Sequence, residues 1–295
     1  MAAAKRTPDP ERDAVVERLI RWAESRADVR ALILTSTRAN PEADVDAFSD
    51  YDVIVVVTDV RPYYDDRNWL EAFGRVLVRY RDPMYEYLGC LRFASITQYE
   101  SGLKIDFTIW PAELLRRVVG EPLPDFLDVG YSVLVDKDGL TGGLAAPTRA
   151  AYVPTPPGQR ALDDVVEEFL HEATYVAKHL RRGDLLPAKY NLDHAMKHDN
   201  LRLVLEWRVA VGNGWSRPAR AYGKSLMRRL PAGIREDLAA TYVGPGIEEN
   251  WEALFRTVAL FRRVAEEVAE SLGLEYPRDL DRRVCEYLGR VRDAE

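Results

Sequence analysis

The chain is poor in the residues that build cross-linked or metal-scaffolded folds, with two cysteines and four histidines in 295 residues. Cys90 and Cys285 lie far apart and form no Cys-x-x-Cys pair, so neither a disulfide framework nor a zinc module is expected. No run approaches the ~18 apolar residues that a membrane span needs. Residues 1–15 (MAAAKRTPDPERDAV) also lack the apolar core of a leader, which makes the cytoplasm the expected compartment. Positive charge is short as well, since 41 Lys and Arg face 48 Asp and Glu, for a net charge of −7. That balance argues against nucleic acid as a partner, because phosphate binding draws on clustered basic side chains, and it suits a cationic small-molecule ligand better. The rest is ordinary globular composition, 47% hydrophobic and 30% charged. The length exceeds one domain at roughly 150 residues per domain, so two packed units are expected.

The hydrophobic pattern changes character along the chain. From Pro10 to about Ala27, Val15, Val16, Leu19, Ile20 and Trp22 recur at helical spacing. Arg30 to Thr35 and Tyr51 to Thr58 are short β-branched runs bounded by turn formers and read as buried strands, with a loop rich in Asn, Pro, Asp and Ser between them. The spacing predicts a helix over Arg67 to Val78, strands over Leu91 to Tyr99 and Leu103 to Trp110 joined at Glu100-Ser101-Gly102, and a last strand over Ser132 to Val135. Residues 141–160 then hold four prolines and three glycines, which discourage helix and strand alike. The boundary is placed there, giving an α+β mixed-sheet domain at 1–145 and a second domain at 146–295. From Ala161 onward the pattern is helical, over 161–182, 185–211, 221–229, 232–241, 247–272 and 281–292.

The strongest local signal is Ser49-Asp50-Tyr51-Asp52 at the mouth of a hydrophobic strand. Side chains at i and i+2 of a strand share a face, so Asp50 and Asp52 project together. A third acid, Asp106, interrupts the apolar strand LKIDFTIW, where a carboxylate is costly unless a cation compensates it. If the two strands pair, three carboxylates converge, a donor set that suits Mg²⁺ with phosphate oxygens and water completing the shell. Two such ions about 3.5–4 Å apart can clamp the attacking and leaving oxygens of an in-line displacement. The preceding turn, Ser36-Thr37-Arg38, offers hydroxyls, backbone N–H groups and a guanidinium suited to a triphosphate.

These motifs resemble the aminoglycoside 6-adenylyltransferase (streptomycin adenylyltransferase) family of polymerase-β-like nucleotidyltransferases. The resemblance rests on Ser36-Thr37-Arg38-Ala39-Asn40, Asp50-Tyr51-Asp52 and Ile105-Asp106-Phe107-Thr108. It continues through Trp69-Leu70-Glu71-Ala72-Phe73-Gly74, Leu134-Val135-Asp136-Lys137-Asp138, Tyr175-Val176-Ala177-Lys178 and Asn250-Trp251-Glu252-Ala253-Leu254-Phe255, over roughly residues 12–290. It implies a mixed-sheet catalytic domain, a helical bundle, ATP as co-substrate, Mg²⁺ as cofactor in two ions, and AMP transfer to O-6 of a streptomycin-type aminoglycoside with release of pyrophosphate. By the same resemblance Asp50, Asp52 and Asp106 are metal ligands, Ser36, Thr37 and Arg38 line the phosphates, and Lys178 neutralises the β- and γ-phosphates. Glu168 and Asp184, which bracket the segment carrying Lys178, are the candidates for a catalytic carboxylate that takes the proton.

Two positions depart from the family pattern: Ser36 stands where the family has glycine, and around Lys189-Tyr190-Asn191 the chain lacks the acidic residue that the streptomycin-modifying members carry near the position of Tyr190. The alternatives are therefore another acceptor, such as a lincosamide, or a non-catalytic member that binds nucleotide or aminoglycoside. His194 and His198 sit four apart on a predicted helix, but His-Ala-Met-Lys-His lacks the glutamate of a zinc-protease helix and reads as an exposed polar stripe.

Overall fold

The computed structural model describes residues 10–41, 43, 45–219 and 221–294; residues 1–9, where no leader is expected, lie outside it. The chain divides into two compact units, Met1–Ala151 and Tyr152–Glu295. The architecture is α+β, a mixed sheet with flanking helices in the first unit and helices alone in the second.

The sheet has seven strands: β1 Val29–Thr35, β2 Tyr51–Val57, β3 Val76–Arg81, β4 Tyr85–Tyr87, β5 Cys90–Tyr99, β6 Lys104–Pro111 and β7 Tyr131–Asp136. Their order is β3-β5-β6-β2-β1-β7, with β4 paired to β5. β2 and β6 run parallel, and the other pairs are antiparallel. The central position of β2 explains its unbroken apolar run. Val53, Val55 and Val57 enter the core beneath Leu19, Trp22, Trp69 and Phe73, while Ile54 and Val56 enter the opposite core with Ile33, Trp110 and Leu114. A strand covered on both faces has no solvated side on which to place polar residues.

The predicted helix over Arg67 to Val78 is corrected. A short 3₁₀ helix covers Asn68–Phe73 and buries Trp69, Leu70 and Phe73, which supplied the helical spacing. Gly74, at φ 140°, then turns the chain into β3, an edge strand on which Leu77, Val78 and Tyr80 are exposed. Two burial periods in adjacent segments together mimic the spacing of one helix. The proline- and glycine-rich stretch is also drawn in further than composition suggests. The Asp128 carboxylate, 8% exposed, accepts bonds from Thr148 N and Oγ1, both at 2.7 Å, and from Ala151 N at 2.9 Å. Those bonds gather residues 148–151 into the first unit and hold the Asp128 carboxyl below the usual range, although burial alone would raise it.

The second unit is built on the helices Gln159–Arg182 and Ile247–Leu272, with Phe169 stacked on Phe261 at a 3.7 Å centroid distance. The first of them ends on Gly183, whose φ of 73° is the left-handed conformation a helix C-terminus favours. The stretch expected as one helix over 185–211 is continuous but not uniform: Leu185–Lys189 is α-helical, Tyr190–Leu201 is π-helical and Arg202–Gly212 is α-helical again. The segment expected as helix over 221–229 is broken at Tyr222 and Ser225, whose φ angles of 54° and 66° cannot continue a right-handed helix.

Candidate active site

The parallel pairing of β2 with β6 is in register, so Asp52 stands opposite Asp106 and Tyr51 opposite Ile105. Registered neighbours share a sheet face, and Asp50 joins that face by the strand's two-residue period. The acids continue rows that run into the apolar cluster of Ile54, Val56 and Trp110, Asp52-Ile54-Val56 on β2 and Asp106-Thr108-Trp110 on β6, and they sit at the end where both strands begin. β1 closes the other side, its Thr35 paired with Asp52 and its hydroxyl donating to Asp52 O at 3.3 Å.

This placement strains the acids electrostatically. Burial, then the nearby Asp106 carboxylate, pushes the Asp52 carboxyl up to about 6, against an opposing interaction with the Ser36 side chain. Burial also raises Asp106, against a hydrogen bond from Lys104 that works to lower it. Lys104, which no sequence motif marks, lies on the same face as Asp106 by the two-residue period of β6. Its Nζ lies 2.5 Å from Asp50 Oδ2 and 2.9 Å from Asp106 Oδ2. Burial disfavours that ammonium, yet the hydrogen bonds to the two carboxylates outweigh burial and its affinity for the proton rises. One oxygen is left over, because Asp106 Oδ1 is buried and has no hydrogen-bond partner among the described residues. Three carboxylates, one with a spare buried lone pair, form a hard-oxygen donor set that fits Mg²⁺.

The turn after β1 is shaped by backbone. Ser36 adopts φ 63°, the left-handed region, and its N–H donates to Gly130 O at 3.1 Å. Gly130 itself has φ 141°, and a Cβ there would lie 3.2 Å from the Asn40 Cα, so the start of β7 can pass this turn only as glycine. Arg38 is buried, and the structure places its guanidinium on backbone: Nε donates to Ser49 O at 3.1 Å and Asp50 O at 3.0 Å, and the group lies 3.8 Å from the Tyr51 ring centroid. These contacts pin the chain immediately before Asp52. Thr37 follows Ser36 in the helical turn Ser36–Ala39.

Glu168, Lys178 and Asp184 belong to the helical unit and are all exposed. Glu168 and Lys178 share the helix Gln159–Arg182, ten residues and so about 15 Å of axis apart. Lys178 Nζ lies 5.2 Å from the Tyr175 ring centroid. Asp184 begins the helix Leu185–Lys189, with Oδ2 3.9 Å from His179 Nδ1. No ion pair joins these three among the described residues.

A family model described as streptomycin adenylyltransferase matches residues 11–291, nearly the whole chain. The chain belongs to the streptomycin adenylyltransferase family. The aminoglycoside 6-adenylyltransferase of Bacillus subtilis (strain 168) is 31% identical over 262 residues, covering 88% of this chain and 90% of that one. That of Campylobacter jejuni is 28% identical over 280 residues and 94% of each. A crystal structure of an aminoglycoside 6-adenyltransferase from Bacillus subtilis aligns over 95% of this chain and 98% of that one, at 27% identity and a TM-score of 0.48. This member of the family is thus a nucleotidyltransferase. No helix among its described residues is long and apolar enough to cross a membrane.

Proposed function

We propose that this nucleotidyltransferase moves AMP from ATP to a hydroxyl of an aminoglycoside, O-6 of a streptomycin-type acceptor, and releases pyrophosphate. The observation that carries the reading is the convergence of Asp50, Asp52 and Asp106 on one sheet face, with a buried Asp106 oxygen left without a hydrogen-bond partner among the described residues. The relatives named above carry the acceptor class in their names, and the acidic balance of −7 suits a polycationic sugar.

In the proposed reaction the acceptor oxygen bonds to the α-phosphorus as the bond from that phosphorus to the bridging oxygen breaks, and the electron pair leaves with pyrophosphate. Asp50, Asp52 and Asp106 would hold Mg²⁺, in two ions, which would supply Lewis-acid polarisation of the phosphate and of the acceptor hydroxyl. The chain's own residues do the positioning. Ser36 and Thr37 line the triphosphate, Arg38 fixes the backbone from which Asp50 and Asp52 project, and Lys178 neutralises the outer phosphates. The acceptor proton passes to a carboxylate of the helical unit, Glu168 or Asp184. Lys104, bonded to Asp50 and Asp106, supplies positive charge at the same carboxylates.

Incubation with labelled ATP, Mg²⁺ and a panel of aminoglycosides and lincosamides tests this directly. The expected outcome is a streptomycin adduct heavier by one AMP, with one pyrophosphate per adduct. Adducts on lincosamides alone would reassign the acceptor, and ATP binding without any adduct would overturn catalysis.

A further inference from the structure

The π-helical segment Tyr190–Leu201 builds a constellation that an α-helix does not provide. Its hydrogen bonds skip one residue further than α-helical ones: Arg202 N–H donates to Lys197 O, five positions back. In an α-helix a residue five positions on points about 140° away, so His194 and Asp199 would face apart. In the π-helix residues four and five apart flank the same line, and Asp199 comes level with both His194 and His198. Its Oδ1 lies 3.2 Å from His198 Nδ1, and its Oδ2 lies 3.6 Å from His194 Nε2. The two imidazoles lie nearly parallel, 16° between planes and 5.6 Å between centroids.

We infer that His194, His198 and Asp199 form a binding site for a late first-row divalent metal ion such as Zn²⁺, separate from the carboxylate cluster on the sheet. One ligand atom from each residue lies within 4.8 Å of the other two. Ligands at about 2.1 Å from a tetrahedral ion stand about 3.4 Å apart, so closure takes side-chain movements only. Two imidazole nitrogens and one carboxylate oxygen are a borderline set that suits Zn²⁺, Ni²⁺ or Cu²⁺ over Mg²⁺. Exposed tyrosine rings flank the pair, Tyr190 5.3 Å from His194 and Tyr222 5.9 Å from His198. The opposite face of the segment is fixed inward, where Lys197, 2% exposed, donates to Asp193 Oδ1 at 2.7 Å and to Thr241 O at 2.5 Å. The triad is half exposed, so a fourth coordination position faces solvent and takes water or an outside donor. A π-helical run is uncommon and tends to occur at functional sites, and here its register is what gathers the three ligands.

Calorimetric titration of the tag-free full chain with ZnCl₂, without nucleotide, tests the site. The expected result is one Zn²⁺ site per chain, beyond any Zn²⁺ taken by the sheet carboxylates, whose affinity persists in Asp52→Asn and Asp106→Asn. His194→Gln, His198→Gln and Asp199→Asn should each weaken binding by at least about tenfold. Absence of Zn²⁺ binding to the wild-type chain, loss of it in Asp52→Asn, or wild-type affinity in Asp199→Asn would each overturn the assignment. Circular dichroism of the variants keeps loss of a ligand distinct from loss of the helix.

Discussion

Both units hold carboxylates in partly buried positions, and they treat them in opposite ways. In the helical unit Asp281, 3% exposed, is fully met: Arg262 bonds it through Nε and, at 2.8 Å, through Nη2, and Tyr276 donates at 3.1 Å. Burial alone would raise that carboxyl, yet these partners hold it below the usual range. On the sheet, Asp52 is pushed up to about 6, Asp106 is raised, and one Asp106 oxygen has no hydrogen-bond partner among the described residues. Complete pairing marks a carboxylate that serves the fold, whereas incomplete pairing marks one kept available for a ligand.

The contrast predicts opposite outcomes for matched substitutions. Asp52→Asn and Asp106→Asn should each cut AMP transfer on the order of a thousandfold while leaving the melting temperature of the metal-free chain equal or higher. A large drop in melting temperature would place these acids with the structural ones. Asp281→Ala should do the reverse, costing roughly 2–3 kcal/mol in denaturant unfolding, with turnover per folded molecule unchanged; the figure is modest because the Arg262 side chain is 38% exposed.

The pH dependence sharpens the same comparison. A carboxyl raised on folding favours the native state at low pH and gives up that contribution as pH climbs through its folded value, about 6 for Asp52. The stabilisation from Asp52→Asn should therefore be larger at about pH 8 than at about pH 4. Asp281, depressed on folding, contributes above the ordinary carboxylate range and loses that contribution as pH falls through its lowered value. Melting curves of Asp281→Ala and wild type should accordingly converge toward low pH.

Smaller effects probe the surroundings of the sheet acids. Lys104→Met removes the internal cation that competes for Asp50 and Asp106, and Mn²⁺ titrated without nucleotide should bind about three- to tenfold more tightly. Weaker binding would make Lys104 a support for the site instead of a placeholder. Ser36→Gly relieves the left-handed φ of 63° and should stabilise the chain by about 0.5–1 kcal/mol, the strain relieved less the entropy glycine adds to the unfolded state.

Sequence alone determined much of this protein because the informative features were local. The β-branched runs of β1, β2, β5 and β6, the two-residue period of Asp50 and Asp52, and the lone acid in LKIDFTIW are all visible without a partner strand. Tertiary structure decided what depends on register. The in-register parallel pairing sets Asp52 beside Asp106, the shared face brings Lys104 between the carboxylates, and Arg38 turns onto the carbonyls of Ser49 and Asp50. The edge strand β3 and the π-helical turn at Tyr190–Leu201 were not legible for the same reason. A burial pattern records which residues face inward, but the pairing that makes them do so, and the hydrogen-bond repeat within a helix, are set by contacts between segments far apart in the chain.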